Sequence, residues 1–192
     1  MLLRKTYNNK TDEGLMSLLI KHEQLAFDEL YNRYSKPMLN FFFIMLNNDR
    51  EKAEDLLHDL FLKIIEKPQS FDKSMKFSTW FYTLAGNIVK NEYRKQQIRT
   101  NFRSESIIEN TNPVEYNNES LDKSIFNQQL SKELIKVDID TRTMFDLRFN
   151  EEMSIKEIAC IFDCPEGTVK SRLFYLTKNL SIKLAAFKPE KI

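Results

Sequence analysis

Hydroxyl and basic side chains are concentrated in one short segment near the C-terminus of the chain. Cations and hydroxyls near the start of a helix suit the phosphates and base edges of DNA. The same composition is also typical of the solvated face of an ordinary amphipathic helical hairpin, so the pattern alone leaves both interpretations open. The candidate DNA-contacting residues are Thr168, Lys170, Ser171, Arg172 and Tyr175.

Two short helices are predicted to position this segment. The first begins with a capping-box pattern, in which the Ser154 hydroxyl caps the helix and the Glu157 carboxylate reaches back. It ends near Phe162, and residues 163–165 turn the chain into a second helix that starts near Glu166. The pair predicts a helix-turn-helix. The side chains expected to pack where its two helices cross are Ile158, Ala159, Val169 and Leu173.

Aromatic and basic side chains are interleaved along another predicted helix, in the N-terminal half, which Ser78 or Thr79 is expected to begin. Residues 86–103 contain five basic side chains and one acidic one. Rings and cations together suit single-stranded nucleic acid, because bases stack on rings and phosphates need neutralising. Trp80 and Phe81 are nevertheless expected to be core residues.

Two residues near this helix are candidates for contact with nucleic acid. Phe71 lies in the polar loop 67–76, beside Asp72, and is harder to assign to a core. Asn87 lies on or near the apolar stripe of the helix. Because a buried amide needs partners, we expect another polar group to satisfy it.

An acidic cluster of Glu54, Asp55 and Asp59 lies on a third predicted helix. Taken alone, it is typical of a solvated helix face. There is no Gly-rich loop to hold phosphates and no evident nucleophile with its base. Cys160 and Cys164 have no second cysteine pair at metal-ligand spacing. The sequence therefore predicts no catalytic residues, no metal site and no cofactor.

The chain of 192 residues has only 3 Gly and 5 Pro, and apolar side chains recur at helical spacing along most of it. These features predict an all-α protein with two small helical domains, residues 12–99 and 125–187. Residues 100–124 are poor in apolar groups and rich in Asn, Ser and Glu, which predicts a flexible linker. Asp49 is expected to cap a helix that ends before Pro68.

The formal net charge is only +1, so the position of the charges matters more than their total. Residues 163–188 carry five basic and two acidic side chains, whereas residues 104–136 carry three basic and six acidic ones. An acidic connector therefore separates two basic patches. No secretory signal or membrane-spanning run is evident, so we expect a cytoplasmic protein without membrane insertion.

Several runs of residues match the motifs of one family. In the N-terminal half they are Ala26-Phe27-Asp28-Glu29-Leu30-Tyr31, Ala53-Glu54-Asp55-Leu56-Leu57-His58-Asp59-Leu60-Phe61, Phe71-Asp72 and Phe77-Ser78-Thr79-Trp80-Phe81. In the C-terminal half they are Arg142-Thr143-Met144-Phe145-Asp146-Leu147-Arg148-Phe149, Ser154-Ile155-Lys156-Glu157-Ile158-Ala159 and Gly167-Thr168-Val169-Lys170-Ser171-Arg172-Leu173. With these runs, the two halves resemble the second and fourth conserved regions of bacterial RNA polymerase sigma factors, in their extracytoplasmic-function group.

The resemblance implies a role and not an enzymatic activity. Such a protein binds core RNA polymerase, directs it to promoters, helps to open the duplex and is restrained by an anti-sigma factor. The −10 element would be bound as a melted strand and the −35 element as duplex. The implied contacts are Asp55, His58 and Asp59 for the polymerase, Phe71, Asn87, Asn91 and Arg94 for the −10 element, and Thr168, Lys170, Ser171, Arg172 and Tyr175 for the −35 element.

Three residues depart from the family pattern: His58 stands where Gln is usual, Asn91 where Asp is common and Phe81 where Leu is common. The first bears on the polymerase contact and the second on local DNA preference. A stand-alone helix-turn-helix regulator is the alternative, although it would not need the N-terminal motifs. A recombinase-type enzyme is a third class, for which the sequence offers no nucleophile or metal-binding carboxylates.

Overall fold

The computed structural model describes residues 7–102 and 121–187, and every regular element within these ranges is helical. The chain divides into two compact units, Met1–Ser106 and Ile107–Ile192. The prediction of an all-α protein with two helical domains is confirmed. Most of the predicted linker, residues 103–120, lies outside the described residues.

Within residues 7–102, the first unit contains four α-helices: α1 (Asp12–Leu19), α2 (Gln24–Met45), α3 (Arg50–Glu66) and α4 (Phe77–Phe102). The α2 helix packs against both α1 and α3, and α4 packs against all three. The Asp49 side chain accepts a hydrogen bond from the backbone N–H of Lys52, which confirms the predicted cap of α3. A single turn of 3-10 helix, Pro68–Ser70, follows α3.

Aromatic side chains fill the core between these helices. The rings of Phe77 and Phe81 are stacked with centroids 5.1 Å apart. Tyr34 approaches both rings edge-on, and Phe61 approaches that of Phe81. Each such pair contributes about 0.5–1.5 kcal/mol beyond the burial of its surface. Trp80 and Phe81 are buried, which confirms their assignment to the core.

The start of α4 differs from the prediction. The helix begins at Phe77, one residue before Ser78, and its first N–H is bound by the Glu13 carboxylate of α1 at 2.9 Å. A local pattern could not show this contact, because its two residues are 64 positions apart.

Within residues 121–187, the second unit also contains four α-helices, α5 (Leu121–Leu134), α6 (Ile139–Phe149), α7 (Ile155–Ile161) and α8 (Glu166–Lys183), followed by a turn of 3-10 helix, Ala185–Phe187. Leucines of α5 and α8 form a core with partly buried aromatic and aliphatic neighbours. The Lys183 ammonium reaches the Glu133 carboxylate of α5 at 2.6 Å. The predicted crossing of α7 and α8 is confirmed, since these helices pack together and their contact residues Ile158, Ala159, Val169 and Leu173 are all buried.

Across residues 7–102 and 121–187, no helix combines the length and apolar character needed to cross a membrane.

Candidate nucleic-acid interfaces

The C-terminal candidate site lies on the first three turns of α8. Ser171 and Tyr175 are four residues apart and point the same way, opposite the buried Val169 and Leu173. Tyr175 is 69% exposed, although its ring touches that of Phe174 at 5.5 Å. An exposed aromatic side chain beside hydroxyl and basic groups offers both apolar and polar contacts to a base edge.

The two cations of this site, Lys170 and Arg172, lie on either side of Ser171 around the helix, because successive helical residues are rotated by about 100°. Lys170 is 3.3 Å from the Glu166 carboxylate in an exposed ion pair. Arg172 is exposed and makes no hydrogen bond or ion pair within the described residues. Thr168 is only half exposed, and its carbonyl accepts the Ser171 hydroxyl at 3.0 Å. Arg172 is therefore the site's readily available donor.

The turn before α8 is fixed by backbone hydrogen bonds. Asp163 has a positive φ of 47°, and the N–H groups of Asp163 and Cys164 donate back to the carbonyls of Cys160 and Ala159. This closes α7 in the manner of a Schellman motif. At its other end the predicted capping box is confirmed, since Ser154 and Glu157 exchange hydrogen bonds in both directions. A seven-residue helix held at both ends gives α8 a rigid support.

The N-terminal candidate site includes one exposed row on α4, formed by Asn87, Asn91 and Arg94. The spacing of four and three residues puts them on a single face of the helix. None of them makes a hydrogen bond or ion pair with any residue that the structure describes. The expectation that another polar group of the protein satisfies Asn87 is therefore wrong. Its amide faces solvent, one step beyond the stripe, and is free to bind a ligand.

The charge of this face is more positive than the α4 sequence alone indicates. Its acidic residue, Glu92, is turned away from the row and accepts a hydrogen bond from Gln96 at 3.3 Å. The Lys52 ammonium of α3 also lies 3.9 Å from it. Arg94, Lys95 and Arg99 remain exposed and without ion-pair partners in the described part of the chain. Their positive field is therefore available to a phosphate backbone.

The loop before α4 is ordered by its own hydrogen bonds. The Asp72 carboxylate accepts the Ser74 N–H at 2.8 Å, and hydrogen bonds from the Ser74 backbone and hydroxyl lower the pKa of this carboxyl. Phe71 is only 5% exposed, with its ring 5.2 Å from that of Trp80 and 5.9 Å from that of Phe77. The expectation that Phe71 stands outside the core is wrong. Its ring anchors the loop, and the polar residues beside it face solvent.

A third exposed surface lies on α3 and carries Asp55, His58 and Asp59. These side chains make no hydrogen bonds or ion pairs within residues 7–102 and 121–187. Leu62, which the sequence analysis missed, lies on the same face and is 51% exposed. Leu62 follows Asp55, His58 and Asp59 by seven, four and three residues, and this helical spacing alone could have placed it on their face. Ile65, three residues further along the same face, is also 47% exposed. The surface therefore combines negative charge with two apolar side chains, which is a composition typical of a protein contact and not of DNA binding.

Within the described ranges, no three His, Cys, Asp or Glu side chains come together in a way that could hold a metal ion.

Two family models match the chain. The model of sigma-70 region 2 matches residues 30–99, and the model of sigma-70 region 4 matches residues 127–174. The α3 surface and the α4 row fall within the first match. The start of α8 falls within the second.

Relatives match this chain over most of their length. The chain is 30% identical over 185 residues to the ECF RNA polymerase sigma-E factor of Escherichia coli K12, covering 91% of this chain and 94% of the relative. It is 28% identical over 183 residues to the corresponding factor of Haemophilus influenzae, covering 91% and 95%. It is 27% identical over 163 residues to the ECF sigma factor SigW of Bacillus subtilis, covering 80% and 86%.

Two solved structures share the fold. One is CnrH in complex with the cytosolic domain of CnrY, with a TM-score of 0.69 and 19% identity, covering 92% of this chain and 99% of that one. The other is the sigma factor RpoE of Bartonella quintana in complex with the anti-sigma factor NepR, with a TM-score of 0.66 and 24% identity, covering 83% and 96%.

Proposed function

Since this chain belongs to the extracytoplasmic-function group of the sigma-70 family and directs RNA polymerase to promoters, we propose that its three exposed surfaces divide that task. The α3 surface binds core polymerase, the α4 row binds the melted −10 element, and the start of α8 reads the −35 element as duplex. The protein is a transcription initiation factor and not an enzyme. It would work in the cytoplasm, where polymerase and chromosome are found.

The α8 surface suits duplex DNA. A helix at the second position of a helix-turn-helix enters the major groove with its N-terminal residues against base edges. The unpartnered guanidinium of Arg172 can form a bidentate contact with guanine, which is worth about 1–3 kcal/mol of discrimination. Lys170, Ser171 and Tyr175 would supply phosphate, hydroxyl and apolar contacts around it, and the half-buried Thr168 a marginal one.

The α4 row suits an unpaired strand. Amides such as Asn87 and Asn91 bind base edges that are exposed only after melting, while Arg94 and the cations beyond it neutralise phosphates. Phe71 contributes indirectly, because its buried ring sets the shape of the loop that would receive a flipped base. This one row of free amides and a free cation is the observation that carries the assignment.

The α3 surface suits a protein partner. Its unpaired Asp55 and Asp59 would face basic groups of the polymerase, and the exposed Leu62 would supply apolar contact beside them. His58 lies on the same face. By analogy with the two structural neighbours, an anti-sigma factor would compete for surfaces of this kind.

The alternative of a stand-alone helix-turn-helix regulator leaves the α3 and α4 surfaces without a purpose. It also predicts no association with polymerase. A pull-down with purified core polymerase separates the two functions directly, because only the sigma assignment predicts a stable complex.

A reconstituted transcription assay tests the division of tasks. Arg172→Ala should weaken binding to −35 duplex about tenfold, through loss of one base contact. Asn87→Ala should leave that binding intact and reduce promoter opening. Lys132→Ala and Asn40→Ala, at exposed and unpaired positions elsewhere in the same units, are the matched controls. Normal transcription by both test variants at every promoter would disprove the site assignments.

A further inference from the structure

The first turn of α4 has no cap of its own. A helix begins with N–H groups that lack intrahelical acceptors, and a neighbouring side-chain oxygen usually binds one of them. Lys76, the residue before α4, has no side-chain acceptor. The Phe77 N–H is instead bound by the Glu13 carboxylate, 2.9 Å away on α1.

The Glu13 carboxylate is itself held in place. Hydrogen bonds from the Phe77 N–H, from its own N–H and from the Thr11 hydroxyl, together with the nearby Lys76 ammonium, lower the pKa of this carboxyl despite its partial burial. It is therefore charged at neutral pH. A negative charge at the positive end of a helix dipole adds to the stability of the contact.

The turn of α1 that carries Glu13 is fixed to α2. Asp12 accepts hydrogen bonds from the Arg33 guanidinium at 2.7 Å and from the Tyr34 hydroxyl at 2.6 Å. Arg33 also binds Glu29 at 2.8 Å and the backbone carbonyl of Lys10 at 2.9 Å. Because this turn is held on several sides, it is a firm point from which to hold α4.

The start of α4, which Glu13 binds, is also the end of the helix that contacts the loop 67–76. Trp80, one turn into the helix, packs on the Phe71 ring of the loop. The row begins at Asn87, ten residues and about 15 Å along the helix from Phe77. A helix released at its first turn would let the loop and the row move relative to each other.

We propose that Glu13 is a positioning residue for the −10 interface, holding the start of α4 so that the loop and the Asn87–Arg94 row meet the melted strand together. The inference rests on the assignment of that row to the −10 element. Glu13 would not touch DNA or polymerase.

The experiment uses full-length protein in holoenzyme, with a fork-junction DNA that the wild-type holoenzyme selects from a randomised pool. Glu13→Ala should weaken fork binding roughly fivefold, the size expected for a lost helix cap. Glu13→Gln keeps an acceptor oxygen and should stay within about twofold of wild type. Binding to −35 duplex should not change in either variant.

Asp28→Ala is the matched control, because it removes one exposed, unpaired carboxylate from the same unit. It should bind the fork as wild type does or slightly better, since a negative charge is lost. Amide hydrogen exchange at residues 77–80 should be faster in Glu13→Ala alone. If that variant does not fold, Glu13→Asp, which draws the carboxylate back by one methylene, should give the same loss in weaker form.

Asn87→Ala and Arg94→Ala, measured in parallel, separate the two proposals. If they weaken fork binding and the Glu13 variants do not, the positioning role is wrong and the −10 assignment stands. If they bind normally, the assignment fails, and the positioning role fails with it. Equal losses on fork and −35 duplex in Glu13→Ala would indicate general destabilisation and would also overturn the inference.

Discussion

Asp146 is a carboxyl group in a place that disfavours its charge. It lies on α6, is 2% exposed, and accepts a hydrogen bond from the Asn150 amide at 2.6 Å. Burial raises its pKa to about 7, against the lowering effects of Asn150 and of the nearby Arg142. The native state therefore holds a proton near neutral pH that the unfolded chain, with an ordinary aspartate, releases.

The sign of the resulting pH dependence follows from proton linkage. The native state binds more protons than the unfolded state between about pH 4 and pH 7, so the free energy of unfolding falls as the pH rises through this range. The fall is at most about 1.4 kcal/mol per pH unit. Asp146→Asn keeps an acceptor for Asn150 and should remove this component.

Amide hydrogen exchange in residues 139–149 measures this effect. Comparing wild type with Asp146→Asn at the same pH cancels the intrinsic pH dependence of exchange. We expect the protection of wild type to decline relative to the variant from pH 5 to pH 7 and to level off above that. Parallel profiles would contradict the raised pKa.

Asp163 occupies a backbone conformation that most residues avoid. Its φ of 47° is in the left-handed region, and it follows the C-cap residue of α7, Phe162, at the position where glycine is preferred. Asp163→Gly should therefore be neutral or slightly stabilising. Asp163→Val, which is β-branched, should lower the free energy of unfolding by about 1–2 kcal/mol.

Urea unfolding and −35 duplex binding test the Asp163 variants together. Because Asp163 is exposed and precedes α8, its carboxylate is not expected to contact a base. Both variants should bind duplex normally at temperatures where they are folded. Equal stability of the Gly and Val variants would show that the turn does not require this conformation.

At the scale of single helices, local patterns predicted the elements better than the contacts between them. The caps at Asp49 and Ser154 lie within three residues of the N–H groups they bind, so their spacing was visible in the sequence. The start of α4 was not, because its cap comes from Glu13 on another helix. Phe71 was misjudged for the same reason, since the rings that bury it belong to α4 and not to its own polar loop.

Periodicity alone also does not determine which residues at the edge of an apolar stripe are buried. Asn87 follows the buried Ala85 and precedes the buried Ile88, so a one-dimensional pattern places it at the boundary. Only the packing of α4 against its neighbours decides that its amide faces solvent. Leu62 was assigned to no surface from the sequence, although it is half exposed on the same face of α3 as Asp55 and Asp59.

The α3 helix offers a prediction at the scale of one surface. If its outer face binds polymerase, Leu62→Ala should weaken association with core polymerase about tenfold, because an exposed apolar side chain surrounded by charge is a typical interface anchor. Folding should be little affected, since half of the side chain is already in water. Leu25→Ala, at a similarly exposed leucine on α2, is the control for surface truncation.

Core binding measured by fluorescence anisotropy of labelled protein decides this prediction. A loss in Leu62→Ala that Leu25→Ala does not share supports the α3 surface as the polymerase contact. Unchanged affinity in Leu62→Ala would show that Leu62 is not part of the polymerase contact. Asp59→Ala would then test whether the charged side chains of the surface form that contact.

In the whole molecule, the two proposed sets of DNA contacts belong to separate compact units. Arg94 is in the first unit and Arg172 in the second, and neither has a partner among the described residues. Tethered modules gain affinity from effective concentration without new contacts. Substitutions at sites that share no partner add within about 0.5 kcal/mol.

A double-mutant cycle on promoter DNA tests this independence. If Arg94→Ala and Arg172→Ala each weaken holoenzyme binding about tenfold, the double variant should lose roughly a hundredfold, with no coupling beyond additivity. Asn91→Ala with Arg94→Ala is the matched cycle within one row, where residues three apart would contact the same strand and should couple. A double variant across the units no weaker than either single variant would mean that one contact forms only after the other. The two units would then bind the promoter one after the other, and not independently.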